Sequence, residues 1–192
     1  MKKIFYKLLR RLVFKFFKPQ MVLGYYNNNS FLPNTRISNT TDIVDATNLE
    51  IGDNVYIGHF NFIDASGGLK IEEGCQVTNH VSILTHSSHT AIRLYGKHYI
   101  KHNGKHISYL CDKIKIGKYS FIGPHSTIMP GVCIGKGSLI SAYSYVKAGE
   151  YPDFAILKGN PAQIIGSTKD IDNLYLQQEP HLMEYYTEWA DE

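Results

Sequence analysis

Between residues 116 and 146 the chain reads IGKYSFIGPHSTIMPGVCIGKGSLISAYSYV, in which Ile116, Ile122, Ile128, Ile134, Ile140 and Val146 return at every sixth position. A period of six fits neither the 3.6-residue repeat of an amphipathic helix nor unbroken strand alternation, so each unit reads as a short strand followed by a corner. The same interval runs upstream through Ile51, Ile57 and Ile63, and again through Ile71, Val77 and Ile83. Three units close one triangular coil, and each recurring aliphatic side chain stacks on its equivalent in the next coil, about 4.8 Å away, burying an apolar column. Corner chemistry agrees. Gly52, Gly58, Gly117, Gly123 and Gly135 each follow a core aliphatic, and Asp53, Asn54, Gly74 and Gly137 lie nearby; such residues accept tight or left-handed backbone. An ordinary sandwich of strands would instead show irregular turns spaced about 8 to 12 residues apart.

At 192 residues and 43% hydrophobic content, the chain fits one domain with extensions. The expected organisation is a basic amphipathic segment and linker at 1–36, a repeat domain at 37–167 with an inserted loop at 85–113, and an acidic, aromatic cap at 168–192. Cys75, Cys111 and Cys133 are odd in number and lack metal-type spacing, so they read as reduced core thiols of a cytoplasmic protein.

Charge is unevenly distributed. Lys2, Lys3, Lys7, Arg10, Arg11, Lys15 and Lys18 occupy the first eighteen residues without an acid, leaving 13 basic against 17 acidic side chains elsewhere. On a helix, Ile4, Phe5, Leu8, Leu9, Leu12, Val13, Phe16 and Phe17 cover one face and most of the basic residues the other. The apolar stretches are too short and too interrupted to span a bilayer, and no signal-peptide pattern follows. This is the pattern of a helix lying on an anionic membrane surface; packing on the prism or on a partner subunit is the alternative. Nucleic acid is not expected, because no binding fold accompanies the basic segment.

The repeat breaks once, between Leu84 and Ile114, and a long excursion from a rigid scaffold is usually functional. The break holds His86, His89, His98, His102 and His106, with His80 just before it, so six of the nine histidines sit within 27 positions. His86 is three residues beyond the core residue Ile83, so the prism can fix it in a way it cannot fix His98 or His102. A neutral imidazole, with an ordinary pKa of about 6.5, suits removal of a proton from a weakly acidic hydroxyl. His86-x-x-His89 and the four-residue steps from His98 to His106 also have intervals that suit zinc.

The repeat, its single break, the entrance sequence ILTHSSH (83–89) and the closing KGNPAQIIGS (158–167) resemble the hexapeptide-repeat acyltransferases that include galactoside and maltose acetyltransferases. THSSHTAIRLYGKHYI, SFIGPHSTIMPGVCIG and GSTKDID are similar to the branch that O-acetylates lipopolysaccharide or capsular sugars. The resemblance implies a left-handed parallel β-helix, so the expected fold is all-β, with the N-terminal amphipathic helix read above, a long inserted catalytic loop and a short C-terminal helix as the cap. It further implies a homotrimer, acetyl-CoA bound between adjacent prisms, and transfer to a hydroxyl of a lipid-linked or nucleotide-linked saccharide, without a metal.

Carried over residue by residue, the resemblance makes His86 the general base, with His89 behind it as a substrate-binding residue. Stacking of Ile63 on Ile83 places Asp64 beneath Leu84, where it would orient the imidazole, and Asn61 on the same side, where relatives contact the sugar. Gly123 and Ala142 match cofactor-groove positions, and Lys147 and Lys158 are the candidates for the adenosine phosphates. Pro124 stands where some relatives offer a serine hydroxyl and amide, and Gln163 where galactoside acetyltransferase has an arginine. Two rival readings are a zinc enzyme of the carbonic anhydrase type on the same fold, whose ligand spacing is absent from this loop, and a non-catalytic trimeric scaffold.

Overall fold

The computed structural model describes residues 2–28, 30–102 and 106–191. Helix α1 (Lys2–Phe17) leads into an antiparallel hairpin of β1 (Met21–Asn27) and β2 (Ser30–Ser38). The end of β2 enters the prism and opens the first coil, completed by β3 (Asp42–Val44) and β4 (Leu49–Ile51). The second coil comprises β5 (Tyr56–Ile57), β6 (Phe62–Asp64) and β7 (Leu69–Ile71). The third has β8 (Gln76–Val77) and β9 (Ser82–Leu84), then leaves the prism through β10 (His86–Ser87), α2 (Ala91–Tyr95) and β11 (Leu110–Cys111) before closing with β12 (Ile114–Ile116). Strands β13 (Phe121–Ile122), β14 (Thr127–Ile128) and β15 (Val132–Ile134) form the fourth coil; β16 (Leu139–Ile140), β17 (Tyr145–Val146) and β18 (Gly149–Tyr151) form the fifth. Strand β19 (Ala155–Gly159) starts a sixth and turns back as β20 (Ala162–Ser167), followed by α3 (Thr168–Gln178) and α4 (Leu182–Ala190).

Corresponding strands of successive coils pair in parallel, giving three sheets, one per prism face: the first through β2, β5, β8, β13, β16 and β19, the second through β3, β6, β9, β14 and β17, and the third through β4, β7, β12, β15 and β18. The register stacks like on like: Ile57 on Val77, Ile63 on Ile83, and Ile116 on Ile134. The architecture is the left-handed parallel β-helix, and its recurring aliphatics are buried, with Ile63, Ile83, Ile122, Ile128 and Ile140 fully so. Buried serines serve the corners, where Ser126 and Ser144 both donate to the Ser141 carbonyl.

The glycines after the core aliphatics have a different cause from the one the sequence suggests. A Cβ on Gly117 would lie 2.5 Å from Lys136 N, and one on Gly123 would lie 2.6 Å from Ala142 N, so the next coil's backbone excludes it. The left-handed conformation falls two residues later. Along the edge between the first and second sheets it is taken by Phe60, His80, His125 and Tyr143, with φ of 58° to 60°. Their rings stack into a ladder at centroid spacings of 5.2, 4.9 and 4.8 Å. Ring stacking between coils offsets part of the strain of a bulky residue in this region.

Four expectations need correction. Residues 21–27 pair with 30–38 as a hairpin, so the stretch up to 36 is not simply linker. The C-terminal segment is two helices rather than one, and instead of simply covering the open end, α4 sets Trp189 against Tyr119 and Phe154 along a prism edge. The helix is fastened there by Lys136 Nζ, which donates to the Ala190 carbonyl at 2.8 Å. Of the three cysteines only Cys75 is a core thiol, pushed up to about 12 by burial; Cys133 is half-buried and Cys111 exposed. Finally, α1 does not pack on the prism, since every one of its described side chains is exposed. No helix among the described residues is long and apolar enough to cross a membrane.

Candidate active site

His86 is placed by the prism. Ile83 is locked in the core, Leu84 pairs with Asp64 of the coil below, and Thr85 is buried, so the chain leaves the edge between the second and third sheets in one direction. Asp64 is itself fully buried and engaged on both oxygens. Its Oδ1 accepts from Ser66 N at 3.0 Å, and its Oδ2 accepts from Thr85 N at 3.1 Å and from His86 Nδ1 at 2.6 Å. Burial pushes the carboxyl up, but hydrogen bonds from Ser66, Thr85 and His86 outweigh it and hold Asp64 below the ordinary carboxylate value. A carboxylate only accepts, so Nδ1 carries the imidazole proton and the lone pair is left on Nε2. The His86 side chain is 41% exposed, so that lone pair has access to solvent.

Three further residues support this pair without having been singled out by sequence. Ser66 Oγ lies 3.0 Å from His86 Nδ1. Thr85 Oγ1 lies 3.0 Å from Asp64 Oδ2 and accepts from Gly67 N at 2.8 Å. Tyr109 stacks on the imidazole, with ring centroids 5.7 Å apart and planes 19° from parallel. The insertion that carries Tyr109 is closed at its base, where β10 pairs with β11, His86 opposite Cys111, and Asp112 N donates to the Thr85 carbonyl. Above that base it has its own aromatic packing: His106 is buried against Tyr99 at 4.0 Å and donates from Nε2 to the Tyr99 carbonyl. The signals available were the adjacency of Thr85 to His86 and the Asx-turn pattern of Asp64 with Ser66; nothing local marked Tyr109.

The remaining candidates separate. Asn61 is buried and turned to the backbone: its Nδ2 spends both hydrogens on the Gly58 and Thr78 carbonyls, and its Oδ1 accepts from Val81 N at 2.7 Å. It is a buried corner residue, which corrects its expected substrate contact. His89 lies in the exposed part of the loop, its Nδ1 2.9 Å from Ser87 Oγ. Gly123 and Ala142 meet at the ladder edge, and the pairing of Ile140 with Leu157 puts Lys158 one coil beyond Ser141 on that side. Lys147 follows Val146, which aligns through Ile128 with Ile83, so it lies on the His86 edge two coils away. Both lysines are exposed. The candidate cofactor residues therefore occupy opposite edges of the second sheet. Pro124 lacks an N–H, but its carbonyl accepts from Tyr143 N at 2.9 Å. Among the described residues, no three histidine, cysteine or carboxylate side chains gather as a metal-ligand group.

Residues 113–148 match the family model described as bacterial transferase hexapeptide (six repeats). Two proteins named "Putative acetyltransferase" are similar in sequence. YvoF of Bacillus subtilis (strain 168) is 40% identical over 63 residues, which are 33% of this chain and 36% of that protein. YJL218W of Saccharomyces cerevisiae (strain ATCC 204508 / S288c) is 30% identical over 129 residues, 66% and 60% of the two chains. The matches thus span less than two thirds of either relative. Among solved structures, a galactoside acetyltransferase in complex with coenzyme A superposes with a TM-score of 0.57 at 24% identity, covering 69% of this chain and 62% of that one. AntD, an N-acyltransferase from Bacillus cereus in complex with dTDP and 3-hydroxybutyryl-CoA, superposes with a TM-score of 0.55 at 19% identity, covering 76% and 88%. At these identities the structural likenesses concern the fold. The six-residue period and the three parallel sheets it builds are thus joined by a match of residues 113–148 to the hexapeptide-repeat transferases, the family this chain is similar to.

Proposed function

We propose that the protein transfers an acetyl group from acetyl-CoA to a hydroxyl of a saccharide, with His86 as general base and Asp64 as its positioning residue. The observation that carries this reading is the 2.6 Å contact from His86 Nδ1 to a buried, multiply hydrogen-bonded Asp64, which leaves Nε2 unprotonated at the mouth of the insertion. In the transfer, Nε2 takes the hydroxyl proton as the sugar oxygen forms its bond to the acetyl carbon. The carbon–sulfur bond then breaks, and the proton passes from the imidazolium to the departing thiolate. An alcohol needs such a base more than a neutral amine does, which favours a hydroxyl acceptor over an amino sugar. With Pro124 unable to donate, the developing negative charge on the thioester oxygen must be met by another group of the groove.

The active assembly is a homotrimer with acetyl-CoA lying between adjacent prisms. Placement of Lys147 on the His86 edge, and of Gly123, Ala142 and Lys158 on the opposite edge of the same sheet, supports a groove built from two copies. The acceptor belongs to a surface glycan such as lipopolysaccharide or capsule, presented on a lipid or a nucleotide carrier in the cytoplasm, where acetyl-CoA is available. The test is release of free thiol from acetyl-CoA against a panel of saccharides, nucleotide sugars and lipid-linked saccharides, with the product examined by NMR. An O-acetyl ester supports the reading, an amide replaces the acceptor class, and absence of both transfer and acetyl-CoA binding favours a scaffold.

A further inference from the structure

Among the described residues, helix α1 is held to the protein at its C-terminal end alone. Asn39, in the first coil, accepts from Gln20 N at 2.9 Å, donates from its own backbone N–H to the Gln20 carbonyl at 3.0 Å, and donates from Nδ2 to the Lys18 carbonyl at 3.2 Å. Beyond this clamp, Pro19 and the helix project from the body. The apolar side chains of α1 are as open as its basic ones, from 43% exposure at Leu9 to 77% at Phe17. An isolated helix of sixteen residues is marginal in water and normally owes its stability to packing of its apolar face. That face has no cover in the single chain.

The distribution of charge around the helix identifies the cover. At about 100° per residue, Phe5, Leu8, Leu9, Leu12, Val13 and Phe16 fill an arc of about 140° that holds no charge from Ile4 to Phe17, Lys2 at the start of the helix being the one basic residue on that side. Lys7, Arg10, Arg11 and Lys15 occupy the opposing arc of about 140°, interrupted by Ile4 and Phe14. No acid stands anywhere in the first eighteen residues. A protein groove covering the apolar arc would leave the basic arc in water and make no use of its charge. A bilayer surface uses both, with the apolar arc among the acyl chains and the basic side chains at anionic headgroups.

We propose that α1 is a docking element for an anionic lipid surface and that it sets the height of the active site above that surface. The clamp is in the first coil and His86 leaves the third, so the base lies about 10 Å further along the prism at about 4.8 Å per coil. A saccharide carried on a lipid headgroup falls within that reach. This choice of carrier rests on the acetyltransferase reading; the docking itself does not.

The experiment is co-sedimentation of the full chain with phosphatidylcholine vesicles and with vesicles containing phosphatidylglycerol, at low and high salt. The expected result is partition at least about tenfold stronger onto the anionic vesicles, weakened by salt. The double substitution Leu8→Glu, Leu12→Glu abolishes it, and Lys7→Gln, Arg11→Gln removes the preference for anionic lipid. Both variants keep the wild-type melting temperature and acetyl-CoA binding, because α1 touches neither the core nor the candidate site. Binding that ignores lipid charge overturns the proposal, as does unchanged binding of the Leu8→Glu, Leu12→Glu variant. Absence of binding together with α1-dependent self-association on sedimentation assigns the face to a second copy. Loss of transfer activity with vesicle binding intact counts against the acetyltransferase reading alone.

Discussion

Asp64 and Asn61 lie in the same coil, three residues apart, and the structure gives them opposite roles. The Asp64 carboxyl is held below its ordinary value of 3.8, so the stability it contributes is fully present above that value and is lost as pH falls through the lower value of the folded state. Asp64→Asn is neutral at every pH. Its melting temperature therefore lies furthest below the wild type near pH 7, and the gap starts to narrow only below the ordinary value of 3.8, closing as pH falls through the lower value at which the folded carboxylate takes up its proton. A gap that stays constant with pH contradicts an ionised Asp64. Asn61→Ala leaves the buried Val81 N–H without its acceptor and costs about 1–3 kcal/mol of stability, while KM for the acceptor does not change. A raised KM at wild-type stability returns Asn61 to the binding site. The Asp64–His86 contact was legible in sequence because a strict register places Asp64 under Leu84. The role of Asn61 was not, since an asparagine on the correct side of a coil looks the same whether its amide faces a ligand or the backbone of its own corner.

At the scale of elements, the sequence reports whatever the six-residue period controls and little else. The columns through Ile57, Val77, Ile122 and Ile140 and through Ile63, Ile83 and Ile128 follow directly from spacing. Because Ile122 is fully buried between two neighbours in its column, Ile122→Ala should lower stability by about 2–5 kcal/mol in denaturant titration. A loss below about 1 kcal/mol would mean the column relaxes around the gap, against the stacking described. The β1–β2 hairpin was hidden because its pattern is weak: Gly24 and Pro33 interrupt the alternation, and the run of asparagines at the turn reads equally as linker. Its signal was Asn28, which adopts φ of 52° between the paired strands, as a short hairpin turn requires. The hairpin at the base of the insertion and the stack of Tyr109 on His86 escaped for another reason, since contacts between Ser87 and Leu110 or between Tyr109 and His86 span about twenty residues of non-periodic chain.

The whole molecule presents unequal faces. Outward residues of the third sheet run Glu50, Lys70, Lys115, Cys133 and Glu150, charged at all but Cys133, with Glu72 beside Lys115 at 3.2 Å. The ladder edge instead exposes Phe60, Tyr143 and, beside them, Phe62 and Phe121. A trimer formed along the ladder edge would cover these rings and leave the charged sheet in water. Tyr143→Glu should then convert a wild-type trimer to monomer in sedimentation velocity; a trimer that survives the substitution places the contact elsewhere. Sequence foretold the prism but not this asymmetry, because a column of left-handed corner residues appears only after the coils are stacked. The same holds for α1, whose amphipathic pattern was plain while its separation from the body was not. The account stands most directly on a comparison of wild type with His86→Ala, measuring thiol release from acetyl-CoA in the presence of acceptor and acetyl-CoA binding by calorimetry in parallel. It predicts a rate loss of about 10²- to 10⁴-fold, the usual contribution of a general base, with acetyl-CoA affinity unchanged. Equal rates in the two proteins would remove His86 from the reaction and contradict the central claim.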